Sequence, residues 1–456
     1  MRHFGLYSVR TADTPRVTFP PGPTEGALGT LRFLRDGLRY LFRGETVVDE
    51  MVQKYGGAFQ FNAPMFGKNV VVTEPALIKQ VFTERPDILL GGKGVSPTVP
   101  IYGTDSMFVH EEPEHMRRRK MLTPAFIGKA LAGYEKTMLE RTAAAFDTWP
   151  ENEKFSLSHE THRLTLDIII RVIFGVTEDA EVAAMVGPLQ RLLRFGVSEE
   201  IVIRYAYRSF GTLKYWRRLR RTFAEVDPML QDLVARRRAT PPDHRGDDVL
   251  SILLATVGAD GELLTDREIH DDLITLLLAG HETTGNTLAW CVHELTRAPA
   301  AMARVREEAE TGGSKFTDAV IQEVLRLRPP AVATARVTAD HYRLGEWQLP
   351  PNTWIVLHIG GVNHRPDIYE DPWEFRAERF VDSPPGSFTW IPFGGGIKRC
   401  LGAAFAMLEV RTSLHYLVRH GDFYAADRPD ELDRRGVILR PKRGIQVVLH
   451  KRQPVR

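Results

Sequence analysis

The chain has 456 residues, of which 43% are hydrophobic and 26% charged, proportions that let it bury a large core and exclude a disordered tail. Lys+Arg 60 against Asp+Glu 58 leave a formal net charge of +2, which gives no overall bias toward nucleic acid or anionic lipid. Two cysteines, Cys291 and Cys400, exclude a disulfide framework and point to a reducing compartment.

The N-terminus has no apolar region of signal-peptide length, and no later segment reaches about 18 uninterrupted apolar residues. The expectation is therefore a soluble, cytoplasmic protein with no transmembrane anchor. Phe19-Pro-Pro-Gly-Pro23 cannot sustain a helix and reads as an extended lead-in. Phe59–Asn62 alternates with period two and Val70–Thr73 is an apolar β-branched run, so a small sheet is expected near the start. From Glu112 to about Glu310 the periodicity is helical, broken at Pro124, Pro188, Pro241-Pro242 and Gly258–Gly261. Thr265-Asp-Arg-Glu268 fits a capping box, and nothing interrupts the helix it opens before Pro299. A further helix over Asp318–Arg328 stops at Pro329-Pro330, and strands follow at Trp354–His358 and Gly444–Leu449.

The stretch Phe393-Gly-Gly-Gly-Ile-Lys-Arg-Cys400-Leu-Gly402 carries the most chemical information. A glycine-rich turn lets backbone approach a flat ligand and aim N–H groups at the sulfur, and a helix pattern follows; both favour a thiolate, the donor a soft metal site needs. A dinucleotide fingerprint would want glycine where Arg399 stands, and no Gly-Lys-Ser/Thr phosphate loop is present. His281-Glu282 opens like a zinc-protease helix, but Gly285 stands where the second histidine belongs. For Cys291 the expectation is an inert buried thiol.

The cysteine segment resembles the haem-binding loop of the cytochrome P-450 family, Phe-x-x-Gly-x-x-x-Cys-x-Gly, with Phe393, Gly396, Cys400 and Gly402 in place. The resemblance implies haem b with Cys400 as the thiolate ligand of its iron, and Phe393, Gly394 and Gly402 packed around that loop. Two residues before its cysteine the family carries Arg or His toward a haem propionate; here Lys398 stands there with Arg399 beside it, and either is a candidate for that contact. Ala279-Gly280-His281-Glu282-Thr283-Thr284 resembles the family's Ala-Gly-x-Asp/Glu-Thr pattern. That assigns dioxygen orientation to Thr283 and proton relay to Glu282, with Ala279 and Gly280 leaving room for the haem. The bland alternative is a threonine bonded to the carbonyl one turn back.

Glu323-Val-Leu-Arg326 places a carboxylate and a guanidinium on one helix face. With Arg379 of Trp373-Glu-Phe-Arg-Ala-Glu-Arg379 it resembles the family's buried Glu-Arg-Arg network, although Ala377 replaces the usual proline. His115 and Arg119, one turn apart, and Arg336 resemble the family's propionate-binding cations. Arg117, Arg118 and Lys120, with Lys398 and Arg399, are candidates for a basic surface that meets an acidic electron carrier.

The resemblance runs from the proline lead-in to Arg440-Pro-Lys-Arg-Gly444. It implies one domain over residues 1–456: a triangular helical prism, mainly α with a smaller β-rich portion, with haem between the long helix and the cysteine loop. The β-rich portion is expected mainly within 50–90 and 330–365, the helices within 112–330 and 400–420. The implied function is a soluble bacterial-type monooxygenase that inserts one atom of O2 into an apolar small molecule, with electrons from a separate ferredoxin and ferredoxin reductase. The substrate is expected to meet the segments around Leu90–Phe108 and Leu193–Tyr215. Rival readings are a haem-thiolate peroxygenase or isomerase, whose members lack the acid-threonine pair, and a non-catalytic haem or ligand sensor.

Overall fold

The computed structural model describes residues 16–23, 45–63, 67–196, 213–435 and 438–452. Its main sheet contains β1 (Ala58–Ala63), β2 (Gly67–Val72), β3 (Leu89–Leu90), β4 (Ala333–Thr338) and β5 (Trp354–His358) in the spatial order β1-β2-β5-β4-β3. β1 and β2 pair antiparallel with Phe59 opposite Val71. β2 then runs parallel to β5, with Val70 opposite Ile355, and β4 lies antiparallel to β5 with Arg336 opposite Ile355. The unbroken run Val70–Val72 follows from burial on both faces of the sheet. Val70 and Val72 pack with Ile78 and Val81 of the helix Pro75–Thr83, and Val71 packs with Val47, Val48 and Met51 on the other side. The proline lead-in runs from this sheet to the small hairpin Tyr342–Leu349: Pro21 O accepts from Gln60 N at 3.1 Å and Thr18 N donates to Gln348 O at 2.9 Å.

Seven helices carry or support the site: α1 (Glu114–Leu122), α2 (Gly128–Thr148), α3 (Leu157–Val172), α4 (Leu213–Ala239), α5 (Asp266–Leu295), α6 (Lys315–Leu327) and α7 (Ala403–His420). The capping box forms as expected, with Thr265 accepting from Glu268 N and Glu268 reaching back to Thr265 N. Its 30 residues make α5 about 45 Å long. α3 packs close against it: a Cβ on Gly285 would come within 2.5 Å of His162 and one on Gly280 within 3.1 Å of Ile169.

The structure differs from the sequence pattern at Pro188, which lies inside a continuous helix over Asp179–Gly196. Met185, Leu189 and Leu192 on that helix are core residues, and burying each is worth about 1.5–3 kcal/mol, enough to offset a lost hydrogen bond. The C-terminal strand begins at Gln446 rather than Gly444 and pairs with Gly421–Ala425 and Lys154–Ser156. Its start is displaced because the Asp430 carboxylate holds the N–H groups of Arg443 and Ile445. Among the described residues no helix is long and apolar enough to cross a membrane. Of the expected substrate segments, Leu90–Phe108 is described, whereas most of the second lies outside the described residues.

Candidate active site

The cysteine loop is shaped by its glycines. Gly394 and Gly396 adopt φ of 65° and 64°, a region that costs a side-chain-bearing residue energy. A Cβ on Gly395 or Gly396 would also collide with Phe82. The loop therefore folds tightly against the helix Pro75–Thr83, and Cys400 N donates to Phe393 O at 2.9 Å. Phe393 packs edge-on to Trp390 with ring centroids 5.8 Å apart, while Gly402 ends the loop as the N-cap of α7.

Cys400 keeps solvent-accessible surface but sits in a recess whose burial raises its pKa; the Gly402 N–H, Arg119 and Arg399 act in the opposite direction. The amide and cations expected to favour a thiolate are present. Desolvation outweighs them in the protein alone, reversing the expected net shift. Cys291 is fully buried on α5, where desolvation and Glu294 raise its pKa, as befits an inert core thiol.

The middle of α5 meets the cysteine loop at a shared cavity. Most of this helix is buried, yet Ala279 is exposed and Gly280 and Thr283 are half-exposed. Thr283 and Thr287 line one cavity with Phe393, Ala406 and Met407, which brings α5, the cysteine loop and α7 together. Glu282 is buried at 6% exposure. Two expectations are modified here. The Thr283 hydroxyl is engaged in the helix, donating to Ala279 O at 2.6 Å. The side-chain space missing at Gly280 faces Ile169 of α3, so this glycine serves helix packing on that side.

Cations gather at the rim. Arg336 is buried and donates to Gly395 O at 3.1 Å; burial lowers its pKa to about 10, against the attraction of Glu111. Burial also lowers the pKa of Arg119, with Cys400 and Arg399 as its charged neighbours, and its guanidinium makes no ion pair among the described residues. His115 Nδ1 lies 2.8 Å from Glu112; burial and the nearby Lys398 lower its pKa to about 4 despite that contact. Burial lowers Lys398 to about 8, with Glu111, Arg336, Glu112 and Arg119 around it. Lys398 differs from a free rim cation, because its Nζ donates to His110 O at 2.5 Å and lies 3.5 Å from Phe108 O.

These residues fit a haem. The cysteine loop carries a thiol with solvent-accessible surface, the otherwise buried α5 leaves Ala279 exposed, and around the loop Arg119, Arg336 and Lys398 outweigh Glu111 and Glu112. A flat, apolar, dianionic group with a metal that takes sulfur matches that donor set.

Behind the loop, Glu323 and Arg326 form a fully buried bidentate pair at 2.7 and 2.8 Å. Arg379 Nε lies 3.3 Å from the same carboxylate, and Arg376 N donates to it at 2.9 Å. Arg326 also donates to the carbonyls of Asn363, Pro372 and Glu374, so this network ties α6 to the segment that leads into the cysteine loop.

The basic run on α1 is not a free surface. Arg118 is fully buried and pairs with Asp272 and Glu268, while Arg117 pairs with Glu114 and Glu268. Of the cations considered for a carrier-facing patch, only Lys120 and Arg399 are exposed. Sequence reasoning also missed Glu111, whose carboxylate accepts from Gly91 N and Lys93 N. Glu111 belongs to no motif; its role arises from contacts with a segment 18–20 residues away in sequence.

The cytochrome P450 family model matches residues 43–449. A Mycobacterium tuberculosis protein named "Putative cytochrome P450 137" is 47% identical over 409 residues, covering 90% of this chain and 86% of its own length. "Putative cytochrome P450 138" of Mycobacterium bovis is 35% identical over 449 residues, covering 97% of this chain and 99% of its own. In fold, the chain is similar to retinoic acid-bound cyanobacterial CYP120A1, with TM-score 0.81 and 23% identity, covering 96% of this chain and 100% of that one. The cytochrome P450DA heme domain gives TM-score 0.80 and 20% identity, covering 96% and 99%. The family match spans both walls of the recess, the helix with Thr283 and the loop with Cys400, and the chain belongs to the cytochrome P450 family as a haem-dependent oxidoreductase of the monooxygenase type.

Proposed function

We propose that this is a single-domain, cytoplasmic monooxygenase that binds haem b through the Cys400 thiolate and oxidises an apolar small molecule with electrons from a ferredoxin and its reductase. The observation that carries this reading is the cavity lined by Thr283 and Thr287 of α5, Phe393 of the cysteine loop and Ala406 and Met407 of α7, together with a Cys400 on that same loop that keeps solvent-accessible surface. A thiolate-ligated haem supplies dioxygen activation and favours O–O cleavage.

The remaining tasks fall to the chain's own residues. Gly402 N–H and the cations Arg119 and Arg399 favour the ionised sulfur at Cys400. Arg119 and Arg336 would hold the propionates as charge-assisted donors, and His115, one helical turn before Arg119, would be a further contact for them. Phe393, Gly394 and Gly402 fix the loop around the sulfur. While donating to Ala279 O, the Thr283 hydroxyl keeps its acceptor lone pairs, so it can hold a water that donates to it, and buried Glu282 passes protons toward it from the adjacent position. Glu323, Arg326 and Arg379 act on none of the reacting atoms; they brace the approach to the cysteine loop.

The test is a carbon monoxide difference spectrum of the reduced protein beside that of Cys400→Ala. The wild type is expected to give the strongly red-shifted Soret band of thiolate ligation, and the variant to lose it. A wild-type protein without that band, or a variant that keeps it, overturns Cys400 as the ligand.

A further inference from the structure

Two stretches that belong to no motif meet beside the cysteine loop. Gly91, Gly92 and Lys93 follow β3, and Phe108 to Glu111 precede α1. They are fastened to each other: Glu111 accepts from Gly91 N at 2.9 Å with one oxygen and from Lys93 N at 2.5 Å with the other. A Cβ on Gly92 would collide with the Val109 and His110 carbonyls, so the two strands of this neck run in backbone contact. The intervening segment helps to line a pocket of about 380 Å³ that is open to the surface, with Leu90, Ser96, Val99 and Thr104 on its wall. Its far end is held by α5: Met107 N donates to Asp272 at 2.8 Å, Asp105 N to Asp271 at 3.0 Å, and Ser106 Oγ lies 2.7 Å from Thr275 Oγ1.

Lys398 is what joins the neck to the cysteine loop. Its stem lies over Gly91, where a Cβ would come within 2.9 Å of both Cγ and Cε. Its Nζ reaches past that glycine to the His110 and Phe108 carbonyls at 2.5 and 3.5 Å. An ammonium has three donors, and directing two of them at carbonyls of another segment makes it a strut.

We propose that Lys398 is a positioning residue that rivets the neck of the 91–111 segment to the loop carrying Cys400, so that opening of the cavity wall and the geometry of the cysteine loop are mechanically linked. For its haem-based readout this rests on the function proposed above; for the contact itself it does not. Lys398→Met keeps the stem and removes the donors. Hydrogen exchange on the haem-loaded protein is expected to speed up by about tenfold or more in peptides spanning 93–109, the scale set by losing charge-assisted hydrogen bonds. Peptides of α7 are expected to stay unchanged. Release of phenylimidazole, followed by the Soret shift, is expected to quicken by a similar factor.

Gly91→Ala, which displaces the stem from the other side, is expected to reproduce both changes and to add nothing in a Lys398→Ala background. The proposal is overturned if exchange in 93–109 is unaltered, if only haem loss accelerates, or if Gly91→Ala acts undiminished in the Lys398→Ala background. Because exchange reports on the chain directly, it can succeed or fail whatever the carbon monoxide spectrum shows.

Discussion

Thr283 and Lys398 show how one side chain can satisfy a local and a distant demand together. The Thr283 hydroxyl donates to Ala279 O, a bond that any mid-helix threonine can make, and the residue also lines the shared cavity with its acceptor lone pairs unused by that bond. Replacement by alanine removes that acceptor without creating a buried unsatisfied group other than one carbonyl that the helix already uses. Thr283→Ala is therefore expected to fold and bind haem normally but to waste reductant. With a substrate found by spin-state screening, product formed per reductant oxidised should fall by at least about tenfold, the low end of what positioned proton transfer contributes to rate. Unchanged coupling in that variant would remove Thr283 from the reaction. Lys398 carries a different lesson: the family pattern points it at a propionate, yet its nearest acceptors are the carbonyls of His110 and Phe108.

At the scale of elements, α5 and α6 divide the work between placing the site and bracing it. The N-terminal third of α5 is an acidic platform. Glu268, Asp271 and Asp272 hold Arg117, Arg118 and the backbone of 105–107, so α1 and the cavity wall are positioned from one helix. α6 buries Glu323 and Arg326 completely, and removing one partner of such a pair leaves an uncompensated charge that costs about 3–5 kcal/mol. Glu323→Ala should therefore lower the unfolding free energy by about that amount and yield protein depleted in haem, because the Arg326 guanidinium that gathers the carbonyls of Asn363, Pro372 and Glu374 loses the carboxylate that holds it in place. Denaturant melts with haem quantified by absorbance decide the matter. A Glu323→Ala protein with full haem content and a normal spectrum would show that the network does not brace the loop.

For the molecule as a whole, His270 joins parts that surround the recess. Its ring bridges Asp227 of α4 and Asp271 of α5 at 3.2 and 3.0 Å, and Asp271 in turn holds Asp105 N. Burial opposes a charge on this imidazole, but hydrogen bonds to Asp227 and then Asp271 prevail and raise its pKa to about 9. A folded pKa above the unfolded value means the contribution is complete below the ordinary histidine pKa and disappears as pH rises through about 9. Thermal melts of the wild type should thus decline between neutral pH and about 9 more steeply than those of His270→Gln. Parallel profiles for the two proteins would exclude the bridge as a source of pH dependence.

By itself the sequence determined the local features whose causes lie within a few residues: the Thr265 capping box, the β-branched run of β2, the stop of α6 before Pro329, and the glycine turn that presents Cys400. Each rests on backbone geometry or hydrophobic periodicity, which neighbouring residues dictate. The tertiary structure alone decided which charges are spent and which are available. Arg118 reads as one of a wet basic run, yet it is fully buried against Asp272, 154 residues away. Glu111 carries no signal, and Lys398 a different one, until β3, the 108–111 turn and the cysteine loop are brought together. Electrostatic partnership and desolvation depend on distance through space and on what surrounds a group, and neither is encoded by a residue's neighbours along the chain.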